Sequence, residues 1–284
     1  MGAAPWLDRR IINFAHQGGA HEWPSSTLYA IERAIAAGAG AIELDVHATS
    51  DRRLVVCHDE TVDRTTDGSG DICAHTLAEL VELDNAHFFI EGADVSPGRP
   101  AAEYLLRGRA PRDRRLGIAT LDEVLASFPG VVLNLDIKRT APEVEPYEDL
   151  LVEVLDAHGR HDDVIVASFN DIALRAFRAL SPAVATSAAT METASFYRAV
   201  VAGEPLPALE VVAFQVPERF GEIELVTSSF VEAAHDAAIA VHVWTINDAP
   251  SMERLVALGV DGIITDRPTL LNEVLGRRSW QPGT

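Results

Sequence analysis

The chain is poor in cysteine and lysine, and it has no long uninterrupted apolar run. Its two cysteines, Cys57 and Cys73, are too few for a disulfide framework and lack zinc-site spacing, which favours small buried residues in a reducing compartment. No apolar stretch precedes a cleavage site near the start, and no segment approaches membrane-spanning length. These absences predict a soluble cytoplasmic protein without stable membrane insertion.

Positive charge is also scarce. Lysine and arginine together number 23 against 43 acidic residues, which gives a formal net charge of -20. Such a field repels nucleic acids and anionic bilayers. We therefore expect a small-molecule partner and no nucleic acid. An anionic substrate would have to be held by local positive charge. The composition does not indicate an oligomeric state.

Only one of the 23 basic residues is a lysine, Lys138. It ends the apolar run VVLNLDIK, two residues after Asp136. A compact ammonium differs from a planar guanidinium in shape and hydration, so a lone lysine can mark a site that arginine cannot serve. Chance survival of one surface lysine is the alternative, and composition leaves both open.

The length of 284 residues and the 48% apolar content predict one large core, and hence a single domain over 1–284. Helical patterns such as SSTLYAIERAIAAG, which stops at Gly38, and TLDEVLASFPG, which opens with a Thr120/Glu123 capping box, alternate with apolar runs. This alternation predicts parallel strands, and eight of them predict an α/β (β/α)8 TIM barrel. The predicted strands are 11–16, 41–46, 131–138, 164–170, 183–189, 211–216, 240–247 and 262–266.

One further apolar run, LVVCHD, follows AIELDVHA after only the five residues TSDRR. A parallel crossover needs about a dozen residues or more, so this run must turn back as a hairpin after the second strand. The hairpin returns His58 towards Glu43 and Asp45, which share one face of their strand.

The same strand-end logic adds residues from other strands. His16 ends the first strand, Asp136 and Lys138 share a face at the end of the third, and Trp244 lies near the end of the seventh. Taken singly, such residues are more often caps, hydrogen-bonded core groups or packing residues. Their convergence at the carboxyl ends of barrel strands predicts an active site.

The chemistry of these side chains predicts a metal-assisted reaction. Crowded carboxylates at Glu43, Asp45 and Asp136 would repel one another without a hard cation, and oxygen ligands suit Mg²⁺ or Ca²⁺. His16 and His58 are suited to general acid and base catalysis near neutral pH, and a nearby lysine would offset developing oxyanion charge.

The chain resembles the glycerophosphodiester phosphodiesterase family, a phospholipase-C-like barrel family, over nearly its whole length. The matching motifs are His16-Gln17-Gly18, Glu43-Leu44-Asp45, His58-Asp59, Asp136-Ile137-Lys138, Trp244-Thr245-Ile246-Asn247, ASFN at 167–170 and GVDGIITDRP at 259–268. The resemblance implies metal-dependent hydrolysis of glycerophosphodiesters to sn-glycerol 3-phosphate and an alcohol. It also implies that a glycerol hydroxyl attacks first and that water opens the resulting cyclic phosphate.

The resemblance further assigns roles to individual residues. Glu43, Asp45 and Asp136 would hold the divalent ion, which polarises the phosphoryl oxygen. Lys138 would be catalytic through its contact with the phosphoryl oxygens, and Gln17 and Trp244 would bind substrate. His16 and His58 would share the proton transfers in an order that the sequence leaves open. A variable insertion at about 83–117 is expected over the barrel mouth, where substrate choice is commonly set.

Three departures from the family pattern stand at the site. Gln17 replaces an arginine, Ser25-Ser26 replace a Glu-Asn pair, and Asp136 replaces a glutamate. Losing both ends of an ion pair is milder than stranding one charge, so the first two changes are interpreted as compensated. Aspartate keeps the ligand type and shortens the reach by one methylene.

Three alternatives follow from these departures and from the fold. The first is a phospholipase D-like enzyme of the spider sphingomyelinase type, which releases a cyclic phosphate from a (lyso)phospholipid. The second is a catalytically weak binding protein on the same barrel. The third is unrelated chemistry on this fold, which the ordered motif set disfavours.

Overall fold

The structure is a computed structural model that describes Trp6 and residues 11–110, 112–138 and 144–276. Its strands are β1 (Ile12–His16), β2 (Ala41–Ala48), β3 (Leu54–Val56), β4 (Leu133–Ile137), β5 (Val164–Ala167), β6 (Ala185–Thr186), β7 (Ala213–Pro217), β8 (Arg219–Phe220), β9 (Ile223–Glu224), β10 (Ala240–Trp244) and β11 (Gly262–Thr265). Its helices are α1 (Leu28–Ala36), α2 (Leu77–Leu80), α3 (Leu121–Ser127), α4 (Glu148–His158), α5 (Asp171–Leu180), α6 (Thr190–Ala202), α7 (Ser228–Asp236), α8 (Ala249–Leu258) and α9 (Pro268–Val274).

Eight parallel strands form the barrel. They follow one another in the order β6, β5, β4, β2, β1, β11, β10 and β7. A parallel bridge between Ser187 and Ala213 joins the two ends of this series and nearly closes the cylinder. The predicted TIM barrel is confirmed, and each of the eight predicted runs overlaps one of its strands, although β2 and β7 extend past the predicted ends. The small hairpin of β8 and β9 was not predicted.

The predicted hairpin after the second strand is present. β3 pairs antiparallel with β2, and Val56 lies opposite Val46. The connection turns sharply where the Arg52 amide donates to the Thr49 carbonyl at 2.9 Å, and Arg52 has a left-handed φ of 56°. The chain that leaves β3 therefore returns His58 to the carboxyl end of β2.

Side chains on one face of each strand fill the barrel from the bottom upwards. Phe14, Ala41 and Ile264 pack with Trp6 in one buried cluster. Because side chains on one face recur every second residue, His16 and Glu43 continue the same faces one layer higher. The polar layer thus lies directly above an apolar floor, at the carboxyl ends of the strands.

Local signals fix the segments that carry the site. The Thr27 hydroxyl accepts from the Ala30 amide at 3.0 Å and begins α1, and the predicted Thr120/Glu123 capping box begins α3. Gly18 has a φ of 80°, and a Cβ there would lie 2.9 Å from the Cβ of Ala30. A larger residue would push the loop after β1 away from α1.

In its described residues, 83–110 and 112–117, the insertion forms no strand and contains two short 3₁₀ turns, Ala101–Glu103 and Arg114–Leu116. It packs on the loop that follows β1. The Gly92 amide donates to the His21 carbonyl at 2.6 Å, and the Asn85 side chain donates to the Ser25 carbonyl at 3.1 Å. The insertion therefore lies at the carboxyl end of β1, beside the site, while the single-domain boundaries stay a prediction.

The two cysteines differ in exposure. Cys57 is buried after β3, as expected, whereas Cys73 is exposed, so the expectation of two buried cysteines is wrong. Cys73 lies in a 3₁₀ turn, Ile72–Ala74, in which Ile72 takes the buried position. Its neighbour in that tight turn is consequently directed outward.

Candidate active site

The carboxyl ends of β2 and β4 carry a cluster of buried charge. Glu43 and Asp45 occupy alternate positions of β2, and Asp45 lies opposite Asp136 in the β2–β4 register. The ammonium of Lys138 lies 2.9 Å from an oxygen of Asp45 and 2.8 Å from an oxygen of Asp136. The three carboxylates are almost fully buried. The structure thus brings these four predicted site residues together.

Burial and mutual repulsion shift the proton equilibria of this cluster. Burial, followed by the charge of Asp45, raises the pKa of Glu43 well above its usual range. Burial raises the pKa of Asp136 as well, although Lys138 opposes this effect. Burial lowers the pKa of Lys138, but Asp45 and Asp136 outweigh it and raise that pKa overall. Lys138 stays charged at neutral pH, and it is surrounded by the three acidic side chains Glu43, Asp45 and Asp136.

Two oxygens in the cluster are buried without a hydrogen-bond partner, Oδ2 of Asp45 and Oδ1 of Asp136. Buried charged oxygens are costly unless a proton donor or a cation compensates them. In Glu43, by contrast, Oε2 accepts a hydrogen bond from the backbone amide of Gln17 at 3.3 Å. Within the described ranges no three His, Cys, Asp or Glu side chains converge on a single ligand position. The donor chemistry still fits a hard divalent cation, since every candidate ligand is a carboxylate oxygen.

His16 is held in one orientation from the last strand of the barrel. Its Nδ1 donates to Oδ1 of Asp266 at 2.7 Å, and Asn247 donates to the other Asp266 oxygen at 2.7 Å. Burial by itself raises the pKa of Asp266, but these hydrogen bonds outweigh burial and lower that pKa below its usual range. The His16 Nε2 is consequently the acid–base position, and it lies 3.8 Å from Oε2 of Glu43.

His58 is oriented in the same way by its sequence neighbour. Its Nδ1 donates to Oδ1 of Asp59 at 2.7 Å, and Arg64 clamps both oxygens of that carboxylate at 2.5 and 3.0 Å. Burial raises the pKa of Asp59, but hydrogen bonds from His58 and Arg64 lower it far more. Asp59 is therefore an anion throughout the physiological range.

The two imidazoles face each other beside the charge cluster. The ring centroids of His16 and His58 lie 5.6 Å apart, with the rings nearly perpendicular. Each ring has its Nδ1 fixed by a carboxylate, which is the arrangement that sets the tautomer of an acid–base histidine. The geometry suits one proton donor and one proton acceptor acting on a group bound between them.

Gln17 and Ser25 are neighbours, as the compensated-change interpretation requires. The Ser25 hydroxyl donates to the side-chain oxygen Oε1 of Gln17 at 2.5 Å. The side-chain nitrogen Nε2 of Gln17 lies 3.2 Å from Nε2 of His16. Gln17 is buried and has a left-handed φ of 54°, an uncommon conformation for a residue with a side chain. A neutral hydrogen bond thus stands where the family pattern has an ion pair.

An aromatic surface borders the other side of the cluster. Trp244 ends β10, and its ring meets the ring of Phe169 edge to face with centroids 5.5 Å apart. The ammonium of Lys138 lies 5.6 Å from the centroid of the Phe169 ring. Phe169 thus lies between the half-buried Trp244 and Lys138, and the substrate-binding role of Trp244 stays a prediction.

Several residues at the site received no role from the sequence, although three of them, Asp59, Asn247 and Asp266, lie in the motifs named above. Asp266 and Asn247 anchor His16, and Asp59 and Arg64 anchor His58. Asp266 follows β11 directly, so the strand-end rule that selected His16 could have selected it. Arg64 carried no such signal, because it lies in a loop and its role depends on where the hairpin ends.

Comparison with known proteins agrees with this geometry. Residues 16–270 match the sequence profile of the Glycerophosphoryl diester phosphodiesterase family. A glycerophosphodiester phosphodiesterase of Caldanaerobacter subterraneus is 32% identical over 93% of this chain and 98% of its own length. One from Bacillus subtilis is 30% identical over 93% of this chain and 86% of its own.

Solved structures have the same fold. An Oleispira antarctica phosphodiesterase in complex with the product sn-glycerol-3-phosphate has a TM-score of 0.71 at 26% identity, covering 93% of this chain and 96% of its own. A glycerophosphoryl diester phosphodiesterase domain from Mycobacterium tuberculosis has a TM-score of 0.74 at 20% identity, covering 94% and 99%. In the described ranges no helix is both long and apolar enough to cross a membrane. With its profile match over residues 16–270 and its relatives aligned over nearly their whole lengths, the chain belongs to the glycerophosphodiester phosphodiesterase family.

Proposed function

We propose that this protein hydrolyses glycerophosphodiesters to sn-glycerol 3-phosphate and an alcohol, with the help of a divalent cation. The observation that carries the proposal is the pair of anchored imidazoles, His16 and His58, facing each other beside Lys138 and three carboxylates. The names of the aligned relatives and the product bound in the Oleispira antarctica structure support the reaction and its product.

Glu43, Asp45 and Asp136 are the residues that would hold the cation, either Mg²⁺ or Ca²⁺. The two unpartnered oxygens of Asp45 and Asp136 support this assignment. When bound, such a cation supplies Lewis-acid polarisation of a phosphoryl oxygen.

The residues of the chain perform the remaining tasks. One histidine accepts the proton of the attacking hydroxyl, and the other protonates the oxygen of the leaving alcohol. Asp266 and Asp59 hold these rings in place and fix the tautomer of each. Lys138 has one N–H donor left beyond its two carboxylate contacts and offsets charge on a phosphoryl oxygen. Trp244 covers the glycerol side.

A headgroup panel scored for released sn-glycerol 3-phosphate, with and without a chelator, tests the proposal. We expect release from at least one diester, loss of release after exhaustive chelation, and recovery with Mg²⁺ or Ca²⁺. His16→Ala and His58→Ala should each cost about a hundredfold or more in turnover, the scale of a general acid or base. His161→Ala, which removes a histidine paired with Asp156 away from the site, is the matched control. Near-wild-type rates in either site variant would remove that histidine from the mechanism.

The cyclic-phosphate alternative has one observation in its favour, the shorter Asp136 at the third carboxylate position. Phosphorus NMR of the products separates the two reactions, because a persistent cyclic phosphate would indicate the phospholipase D-like enzyme. Ligand-dependent stabilisation without turnover would indicate a binding protein. The cytoplasmic location and the absence of a nucleic-acid partner stay predictions.

A further inference from the structure

Large apolar side chains are exposed along one side of the barrel mouth. They lie before and within the first turn of α5, in the first turn of α6 and in the β8–β9 hairpin, and so follow the carboxyl ends of β5, β6 and β7. Five of them are between 47% and 73% exposed and form the apolar arc, namely Phe169, Ile172, Met191, Phe220 and Ile223. A clustered apolar surface of this kind on a soluble protein usually marks a binding site.

The segments that carry the apolar arc are held together. β5, β6 and β7 are consecutive around the barrel. The Thr190 hydroxyl, at the start of α6, donates to the Phe169 carbonyl at 2.9 Å. Further along α6, the Tyr197 hydroxyl donates to the Glu224 carbonyl in β9 at 3.4 Å. The five side chains therefore belong to one continuous edge of the mouth.

The apolar arc begins at the candidate active site. The centroid of the Phe169 ring lies 5.5 Å from that of Trp244 and 5.6 Å from the ammonium of Lys138. In the proposed function Trp244 covers the glycerol, and Lys138 contacts the phosphoryl group. An apolar group attached to the glycerol would therefore leave the site across Phe169 and continue towards Ile172 and Met191. A fully polar diester would leave this apolar surface in water, without the gain from its burial.

The charge beside the apolar arc favours a single hydrocarbon chain over a membrane surface. Phe220 and Ile223 share their hairpin with the exposed acids Glu222 and Glu224, and the whole chain has a formal net charge of -20. These charges repel an anionic bilayer. A hydrocarbon chain is neutral, and a narrow apolar surface that starts at the reacting group is sufficient to hold it.

We propose that the apolar arc binds a hydrocarbon chain on the first carbon of the substrate's glycerol, so that the preferred substrate is a single-chain glycerophospholipid. Such a chain leaves the hydroxyl of the second carbon free to attack phosphorus. Overall, the bond between phosphorus and the oxygen of the leaving alcohol breaks, and water supplies the hydroxyl that phosphorus gains and the proton that the alcohol gains. The products are a 1-acyl- or 1-alkylglycerol 3-phosphate and the alcohol. The inference rests on the proposed hydrolysis.

The kinetic test uses glycerophosphocholine and its 1-O-butyl, 1-O-hexyl and 1-O-octyl ethers, at concentrations where all four are monomeric. Released choline measures each reaction. Full burial of a methylene is worth about fourfold, so a chain covered on one side should raise kcat/KM about twofold for each added methylene. A kcat/KM that does not change with chain length would overturn the proposal.

The exposed positions allow variants that should not disturb the fold. Ile172→Gln, Met191→Gln and Phe220→Gln should each lower kcat/KM for the octyl ether about two- to fivefold and leave that for glycerophosphocholine unchanged. Leu180→Gln and Val201→Gln are the matched controls, because they remove exposed apolar side chains at the opposite ends of α5 and α6. They should change neither value. A chain-length effect that survives all three arc variants would contradict the assignment.

Binding of the product separates this inference from the proposed function. In calorimetric titrations, 1-O-octylglycerol 3-phosphate should bind at least about tenfold more tightly than sn-glycerol 3-phosphate, and Met191→Gln with Phe220→Gln should abolish the difference. That result without hydrolysis of any diester would sink the proposed function and retain the chain site. Hydrolysis with equal binding of the two products would sink the chain site and retain the function. Capture of the protein by phosphatidylcholine vesicles, with no chain-length effect, would make the apolar arc a membrane-docking surface and overturn the proposal.

Discussion

Replacing Lys138, the only lysine of the chain, tests whether the site needs only a positive charge or also the shape of an ammonium group. In the structure the Lys138 ammonium makes two contacts, 2.9 Å to Asp45 and 2.8 Å to Asp136, which leaves one N–H donor for a substrate. A guanidinium in Lys138→Arg keeps the charge but is planar and wider, so it cannot sit at one point between both carboxylates and a phosphoryl oxygen. We expect normal folding and at least about a tenfold loss of kcat/KM, roughly 1.4 kcal/mol of transition-state stabilisation.

Lys138→Met is the matched contrast, because it removes the charge and keeps an unbranched side chain. Lys138 is 16% exposed, so the two carboxylates lose a largely buried partner. Removing one partner of such a pair costs about 3 to 5 kcal/mol, and urea unfolding should show that loss in Lys138→Met but not in Lys138→Arg. If Lys138→Arg keeps wild-type kinetics, the compositional argument is refuted and the lysine survived by chance.

A chemical version of this experiment needs no mutation. An amine reagent has only the N-terminal amine and Lys138 to modify, since the chain has no other lysine. Because Asp45 and Asp136 raise the pKa of Lys138, its amine should react more slowly than the N-terminal amine at neutral pH. Activity should therefore persist after the first modification and fall with the second, and bound product should slow that fall. A doubly labelled enzyme that works as before would contradict the assignment.

Three further predictions follow from the contacts around the site. Gln17→Arg should destabilise the protein, and adding Ser25→Glu should restore part of the lost stability. A double-mutant cycle should give a coupling of about 0.5 to 3 kcal/mol between the two positions. If the changes in melting temperature of the two single variants simply add up in the double variant, the two side chains do not interact. Asn247→Leu should raise the pKa of Asp266, because it removes one of the hydrogen bonds that lower it. A carboxylate whose pKa is lowered in the folded state stabilises the fold at pH values above its unfolded pKa, and this stabilisation is lost as the pH falls. The variant should therefore begin to unfold in acid at a higher pH than the wild type, and an unchanged acid transition would contradict this. Trp244→Ala should raise KM for glycerophosphodiesters about tenfold with little change in kcat, and an unchanged KM would remove Trp244 from the substrate site.

The sequence by itself determined the barrel and most of the candidate site. Apolar runs alternating with helical patterns predict parallel strands, and a five-residue connection between two runs allows only a hairpin. The two-residue period then puts Glu43 beside Asp45 and Asp136 beside Lys138, each pair on one face. These inferences succeed because they depend on spacing within one strand or between neighbouring strands.

The tertiary structure decided the contacts between distant parts of the chain. The bond from His16 to Asp266 spans 250 positions and exists only because β1 lies next to β11 when the barrel closes. The exposure of Cys73 and the hydrogen bond from Arg64 to Asp59 depend on the path of the loop after β3. A loop has no regular spacing of apolar residues from which its path could be predicted. His47 shares the period of Glu43 and Asp45, but only the folded structure shows that its Nε2 is buried without a hydrogen-bond partner. Spacing along the sequence determines the face of the strand on which a side chain lies. Closure of the barrel and the paths of the loops determine which other residues it contacts.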